Sequence, residues 1–169
     1  MAAKRMATQT VTYPFEPKST RFSVAGQFWP IRLCNGRYCC GRVIRLFLDV
    51  PEWRNRGFLA GLMDWTDAEP PTSEALAGHK ACAQGLAHSR TIRVTGPMIT
   101  GIRDLALDKI EPASFIRFFG RGAVCVLTDG YRPIRLATCE ERERLSDMQG
   151  WGYSVIKRLA EKQYGNKTA

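Results

Sequence analysis

The sequence predicts an α+β fold: a strongly bent antiparallel sheet or small open β-barrel, with one inserted helix and C-terminal helices. Three features carry that expectation. An Asn35-Gly36 pair stands between two β-rich runs, residues 28–33 and 37–44. Asn-Gly is the strongest short-range hairpin signal, because a type I′ turn needs φ > 0 at both central residues. Asp129-Gly130 repeats the signal further on, and Thr138-Cys139-Glu140-Glu141 has the form of a helix capping box. The chain divides accordingly into a flexible leader (1–20), a β-rich barrel-like domain (21–138) and a C-terminal helical segment packed on it (139–169).

The leader carries two early basic residues but no apolar core, so it does not read as a secretory signal. With a two-residue loop at 35–36, Leu33 faces Tyr38, Arg32 faces Cys39, Ile31 faces Cys40 and Pro30 faces Gly41. Alternation then puts Ile31, Leu33, Tyr38 and Cys40 on one face and Arg32, Arg37 and Cys39 on the other, a half-buried hairpin. Residues 45–50 extend the second strand, residues 58–65 read as a third, and TDAEPPT (66–72) is a linker. Ser73 is a candidate N-cap for a helix through about Ala87, with Leu76, Ala83 and Leu86 on one face; Gly78 and Gly85 weaken it. Residues 90–95 alternate Ile92 and Val94 with polar neighbours, as a strand does. Residues 98–110 are ambiguous. Residues 115–119 and 123–127 are strands about a Gly120-Arg121-Gly122 turn, and residues 131–137 return from Asp129-Gly130, with Pro133 favouring an edge. Gly150-Trp151-Gly152 breaks the helical segment before a last helix over 154–163, with Val155, Ile156 and Leu159 as its stripe.

The formal charge of +9 raises the question of an anionic partner, yet no block of five or six like charges occurs. Residues 1–40 hold six Lys or Arg against one acid, and the last thirty residues hold six against five. Many arginines alternate within strands, as on the solvated face of a sheet. The six cysteines form no CxxC pair, and Cys39 and Cys40 leave one strand on opposite faces. Free thiols and a reducing, cytoplasmic setting follow. No apolar run approaches the roughly 18 residues of a membrane span.

His79, Cys82 and His88 raise the question of a metal site, but one helix would turn His88 away from His79. No metal and no cofactor is expected. No GxSxG, HExxH, P-loop or GxGxxG pattern occurs, and no catalytic residue is assigned. Phe115-Ile116-Arg117-Phe118-Phe119-Gly120-Arg121-Gly122 interleaves aromatics with arginines, as RNA-stacking platforms do, without the RNP1 order. Trp29 and Arg42 are placed to approach across the first hairpin as a cation–π pair.

The segment GQFWPIRLCNGRYCCGRV, residues 26–43, resembles the opening of the family 26 immunity proteins of bacterial polymorphic toxin systems. The resemblance runs through Gly26, Phe28-Trp29, Pro30-Ile31-Arg32-Leu33, Asn35-Gly36-Arg37-Tyr38 and Gly41-Arg42-Val43. ITGIRDLAL, residues 99–107, is similar to a Gly-containing, Leu-ending segment of that family. The resemblance implies a non-enzymatic, β-rich protein that sequesters a partner protein, a toxin domain.

Two functions are therefore expected in competition. A protein-binding module would use an aromatic patch with few arginine anchors: Trp29, Arg37, Tyr38 and Arg42. A nucleic-acid-binding small barrel would use an arginine-rich sheet face: Arg32, Arg37, Arg117 and Arg121, with Phe118 and Phe119 for stacking. The diffuse charge and the resemblance favour the first. Oligomeric state is not legible.

Overall fold

Asn35-Gly36 does mark a turn, but a longer one than a two-residue loop. The computed structural model describes residues 11–121, 124–130, 132–148 and 150–166. In it β1 (Gln27–Arg32) returns as β2 (Tyr38–Leu46) with Arg32 opposite Tyr38, Ile31 opposite Cys39 and Trp29 opposite Gly41. Leu33 O accepts from Gly36 N at 3.1 Å, Leu33 N donates to Arg37 O at 2.8 Å, and Gly36 alone takes φ +84°. This is the three-residue loop, a type I turn closed by a left-handed glycine. Every cross-strand pair is one residue away from the two-residue register, so β2 turns the other face toward each neighbour of β1.

β2 continues into β3 (Gly57–Asp67) and β3 into β4 (Ala81–His88); β5 (Gly101–Ile102) adds to the free side of β1. The order is β4-β3-β2-β1-β5, antiparallel between all neighbours, and the sheet does not close into a barrel. It is covered on both faces. One face buries Trp29, Ile31, Cys39, Val43, Phe58 and Leu62 beneath Ile92, Trp151 and Ile156. The other buries Phe28, Cys40, Ile44, Leu59 and Met63 beneath Leu76, Ile110 and Phe115. Near-continuous apolar runs such as FLAGLM in β3 suit a sheet with no wet side. The expected half-buried hairpin, with arginines lining a solvated face, is corrected accordingly. Gly41 shows how tight the packing is: a Cβ there would lie 2.3 Å from the Trp29 ring.

Two helix–strand expectations are exchanged. The helix expected over 73–87 is a turn followed by β4. Leu76 N donates to Thr72 O and Ala77 N to Glu74 O, and then Gly78 takes φ +79°. Ladder bonds to eleven-residue β3 outweigh a helix propensity already lowered by two glycines. The strand expected over 90–95 is instead α1 (Ser89–Thr95), whose N-cap His88 accepts from Arg90 N at 3.0 Å. α1 buries Ile92 and leaves Val94 exposed.

The expected leader is docked from residue 11 onward. Phe15 and Ile99 exchange backbone hydrogen bonds of 3.0 and 2.9 Å, and Gln27 Nε2 donates to Tyr13 Oη at 3.1 Å. Residues 1–10, together with Gly122, Ala123 and Tyr131 of the expected turn and strands, lie outside the described residues.

The second sheet follows the expectation closely. β6 (Phe115–Phe119), β7 (Val124–Asp129) and β8 (Arg132–Leu136) form an antiparallel meander in which Pro133 lies on the outer strand. Arg45–Asp129 and Arg132–Asp49 ion pairs tie its base to the end of β2. Then come α2 (Cys139–Arg144), α3 (Val155–Ala160) and a wider helical turn over Glu161–Gly165. Thr138 Oγ1 accepts from Glu141 N, and Glu141 returns to Thr138 N at 2.9 Å, which completes the capping box. Among the described residues no helix is long and apolar enough to cross a membrane.

Candidate protein-binding surface

Of the four residues first expected to face a partner, two are interior and two are half-buried. Trp29 is fully buried on one face of the large sheet, and its Nε1 donates to Thr95 Oγ1 at 3.0 Å. Arg42 is fully buried on the opposite face, with its Nη1 2.9 Å from Asp108 Oδ2. Adjacent cross-strand positions of opposite parity cannot bring the two together, so the cation–π pair does not form. Tyr38 is half-buried against the second core, and Arg37 braces β3 through Nη2 to Thr66 O at 3.2 Å. Trp29 and Arg42 are thus members of the scaffold, whereas Arg37 and Tyr38 keep part of their surface in solvent. The reason is physical: a sheet covered on both faces has no wet side on which to present Trp29 and Arg42.

The second expected set is divided between the two sheets. Arg32 is exposed at the end of β1 and Arg37 stands in the β1–β2 loop, whereas the small sheet is anchored at the far end of β2 through Arg45 and Asp49. β2 is nine residues long, about 30 Å at roughly 3.3 Å per residue. Arg117, Phe118, Phe119 and Arg121, by contrast, do lie together at the tip of the small sheet.

Register and alternation define that tip. Phe115, Arg117 and Phe119 of β6 share a face with Thr128, Val126 and Val124 of β7 and with Leu136 of β8. At the base this face is buried, with Phe115 in the second core and Thr128 Oγ1 donating to Phe115 O at 3.2 Å. Beyond the base it projects free: Phe119 is 42%, Val124 43% and Leu136 65% exposed. Ile134, the extra residue opposite the Leu127–Thr128 step of β7, is 56% exposed. The opposite face holds Ile116 and Cys125 buried with Ala137 under Leu145; Phe118 lies at its margin, 46% exposed.

A cationic rim surrounds the apolar tip. The Arg117 guanidinium sits 5.0 Å from the Phe119 ring centroid, and Arg121 stands in the turn at φ +56°. Neither has a carboxylate partner among the described residues. Arg135 is held by Glu141 through two bonds of 2.7 and 2.8 Å. That pairing, with the Thr138 amide, pushes the Glu141 carboxyl down to about 2. Val124, Ile134 and Leu136 were not singled out as surface residues in the sequence, where residues 123–127 read as a short buried strand and residues 131–137 as an edge.

A separate basic corner forms where α1 begins. Arg90 lies 4.9 Å over the Tyr153 ring, and His88 meets the same ring edge-on at 5.6 Å. Partial burial, then Arg56, Arg93 and Arg90, lower the His88 pKa. Among the described residues no group of three His, Cys, Asp or Glu is placed to hold a metal ion. His79 pairs with Asp64 at 3.0 Å, and His88 caps α1.

No protein-family model, curated protein or solved structure matches the chain.

Proposed function

We propose that this chain is a non-enzymatic protein-binding module that seats a partner protein on the projecting face of β6–β8. The observation that carries the reading is the exposed apolar face of Phe119, Val124 and Leu136, with Ile134 exposed further along β8, beside Arg117 and Arg121, which have no carboxylate partner among the described residues. Exposed apolar patches of this kind cost solubility and are kept where a partner covers them. Aromatic and arginine anchors are also the residue types that dominate binding energy at interfaces. The partner surface is apolar at its centre and acidic at its rim. The resemblance of residues 26–43 to family 26 immunity proteins supports a toxin domain as that partner, in a reducing compartment such as the cytoplasm, where six free thiols persist.

The test is affinity capture from the native host with the unaltered chain and with a Phe119→Asp, Leu136→Asp double variant. A protein retained by the first and lost by the second, whose binding slows amide exchange in β6–β8, supports the reading. Equal retention, protection elsewhere, or no protein retained would overturn it.

A nucleic-acid reading has its own observation, the His88–Arg90–Tyr153 corner, together with the Arg117–Phe119 stack. It requires binding to a mixed DNA and RNA probe set with an affinity that falls steeply with salt.

A further inference from the structure

We propose that the outer edge of β4 takes an extended peptide with small side chains as a sixth strand, in a slot separate from the β6–β8 tip. β4 is the outermost strand of the large sheet on its side. The hydrogen-bond phase along it is fixed by two contacts. Ser89 N donates inward to Arg56 O at 2.7 Å, and Leu86 O accepts from Trp151 N, on the outer side, at 2.6 Å. Antiparallel pairs alternate between bonded and non-bonded, so Leu86 and, two residues earlier, Gln84 direct N–H and C=O away from β3. At Leu86 the chain meets its own edge, through a parallel bridge to Gly150. At Gln84 no backbone bond reaches that edge among the described residues.

What lies beside Gln84 has the form of a strand site. The two covering layers both reach this edge, Trp151 and Leu159 from one and Ala113 and Phe115 from the other, and residues 144–147 complete the lining of the slot. The slot is open to solvent along one side and has a volume of about 460 Å³, within the range of ligand pockets. The Gln84 side chain bridges to Glu111 O at 2.9 Å and Ala113 N at 2.8 Å, which fixes that segment beside the slot. Ala81, Cys82 and Ala83 leave the edge itself accessible, Trp151, Leu159 and Phe115 narrow the slot to small side chains, and Ser114, Ser146, Arg144 and Asp147 are polar. The backbone groups of Gln84, unpaired among the described residues, call for an extended chain, and a narrow slot between two layers admits one strand rather than the broad edge of another sheet. A second copy of the protein is for that reason the poorer occupant.

The probe is a library of nine-residue peptides with Ala, Ser, Thr or Val at alternate positions, screened by fluorescence polarisation. The best binder is remade in two forms, N-methylated at alternate amides, because only one set of amides faces β4. Binding lost in one form and kept in the other supports the inference. So do exchange at the Gln84 amide and alkylation of the exposed Cys82 thiol that slow about tenfold when peptide stands at ten times its dissociation constant. Ser146→Trp fills the slot from an exposed position and should abolish binding with thermal unfolding unchanged. No binder in the library, binding equal in both methylated forms, binding that survives Ser146→Trp, or a dimer that already protects Gln84 would each overturn it. The Phe119→Asp, Leu136→Asp variant should bind the peptide normally, so failure here and failure at the β6–β8 tip are told apart.

Discussion

Arg42 Nη1 lies 2.9 Å from Asp108 Oδ2, and neither side chain is exposed to solvent. The two residues stand 66 apart in the chain. Arg103 closes on both Asp108 oxygens, and Gly78 N donates to Oδ1 at 3.0 Å. One carboxylate therefore ties β2, the 103–108 turn and the turn before β4. Burial works against the Asp108 charge. Hydrogen bonds from Arg103, the Gly78 amide and Arg42 outweigh it and hold the carboxyl well below the usual range.

Asp108→Asn should cost about 3–5 kcal/mol, because it leaves Arg42 buried without its counter-ion. The folded-state pKa of Asp108 is depressed, so its contribution is full above the unfolded value near 4 and is lost as pH falls below it. Urea unfolding at pH 7 and pH 3 checks both points. The unaltered chain should lose more stability than Asp108→Asn between the two pH values. Equal losses would mean the carboxyl is not held in its charged form.

Gly36→Val separates backbone strain from crowding, because a Cβ there meets nothing within 4 Å. With φ at +84°, the valine should cost about 1–3 kcal/mol, and Gly36→Asn appreciably less. Gly41→Ala is the opposite case. Its backbone is ordinary, but the methyl would run into the Trp29 ring, and overpacking of that kind costs about 1–3 kcal/mol. Thermal unfolding of the three variants ranks them, and an unchanged midpoint for Gly36→Val would argue against the turn.

Local chemistry was legible where it is decided locally. The Thr138–Glu141 capping box, the Asp129-Gly130 reversal and Pro133 on an edge all hold because each depends on a few adjacent residues. The hairpin register was not legible. Asn35-Gly36 serves a two-residue and a three-residue loop alike, and in a sheet buried on both faces either register offers apolar side chains to each core. The same two-sided burial hid β4, whose Ala81, Ala83, Gly85 and Ala87 carry too little bulk to show a strand alternation. Asp108 falls in the ambiguous stretch 98–110. Its partners Arg42 and Gly78 are distant in sequence, and no spacing rule reaches them. At the candidate surface the Arg117–Arg121 group was recognised, but not the apolar residues of β7 and β8 that make it a patch.

The thiols should divide three and three. Cys34, Cys82 and Cys139 are exposed, while Cys39, Cys40 and Cys125 are buried. Burial, with Cys82 and Glu161 nearby, pushes the Cys39 thiol up to about 12, so its reactive thiolate is scarce at neutral pH. Iodoacetamide on the native protein should modify three residues and, after denaturation without reductant, six. Two thiols protected in the denatured sample would indicate a disulfide, and rapid native labelling of Cys39 would place it outside the core.

The rim and the centre of the β6–β8 tip should fail in different ways. Phe119 and Leu136 are 42% and 65% exposed, so aspartate at either position should change stability by no more than about 0.5 kcal/mol. In a complex with the captured partner, those changes remove contacts that form after docking and should speed dissociation. Arg117→Ser and Arg121→Ser remove charge that attracts an acidic surface at a distance. They should slow association and flatten its dependence on salt, with dissociation little altered. Surface plasmon resonance at several salt concentrations separates the two. If every substitution weakened binding through association alone, and affinity fell steeply with salt on DNA or RNA probes as well, the tip would be an electrostatic nucleic-acid surface and not a protein-docking one.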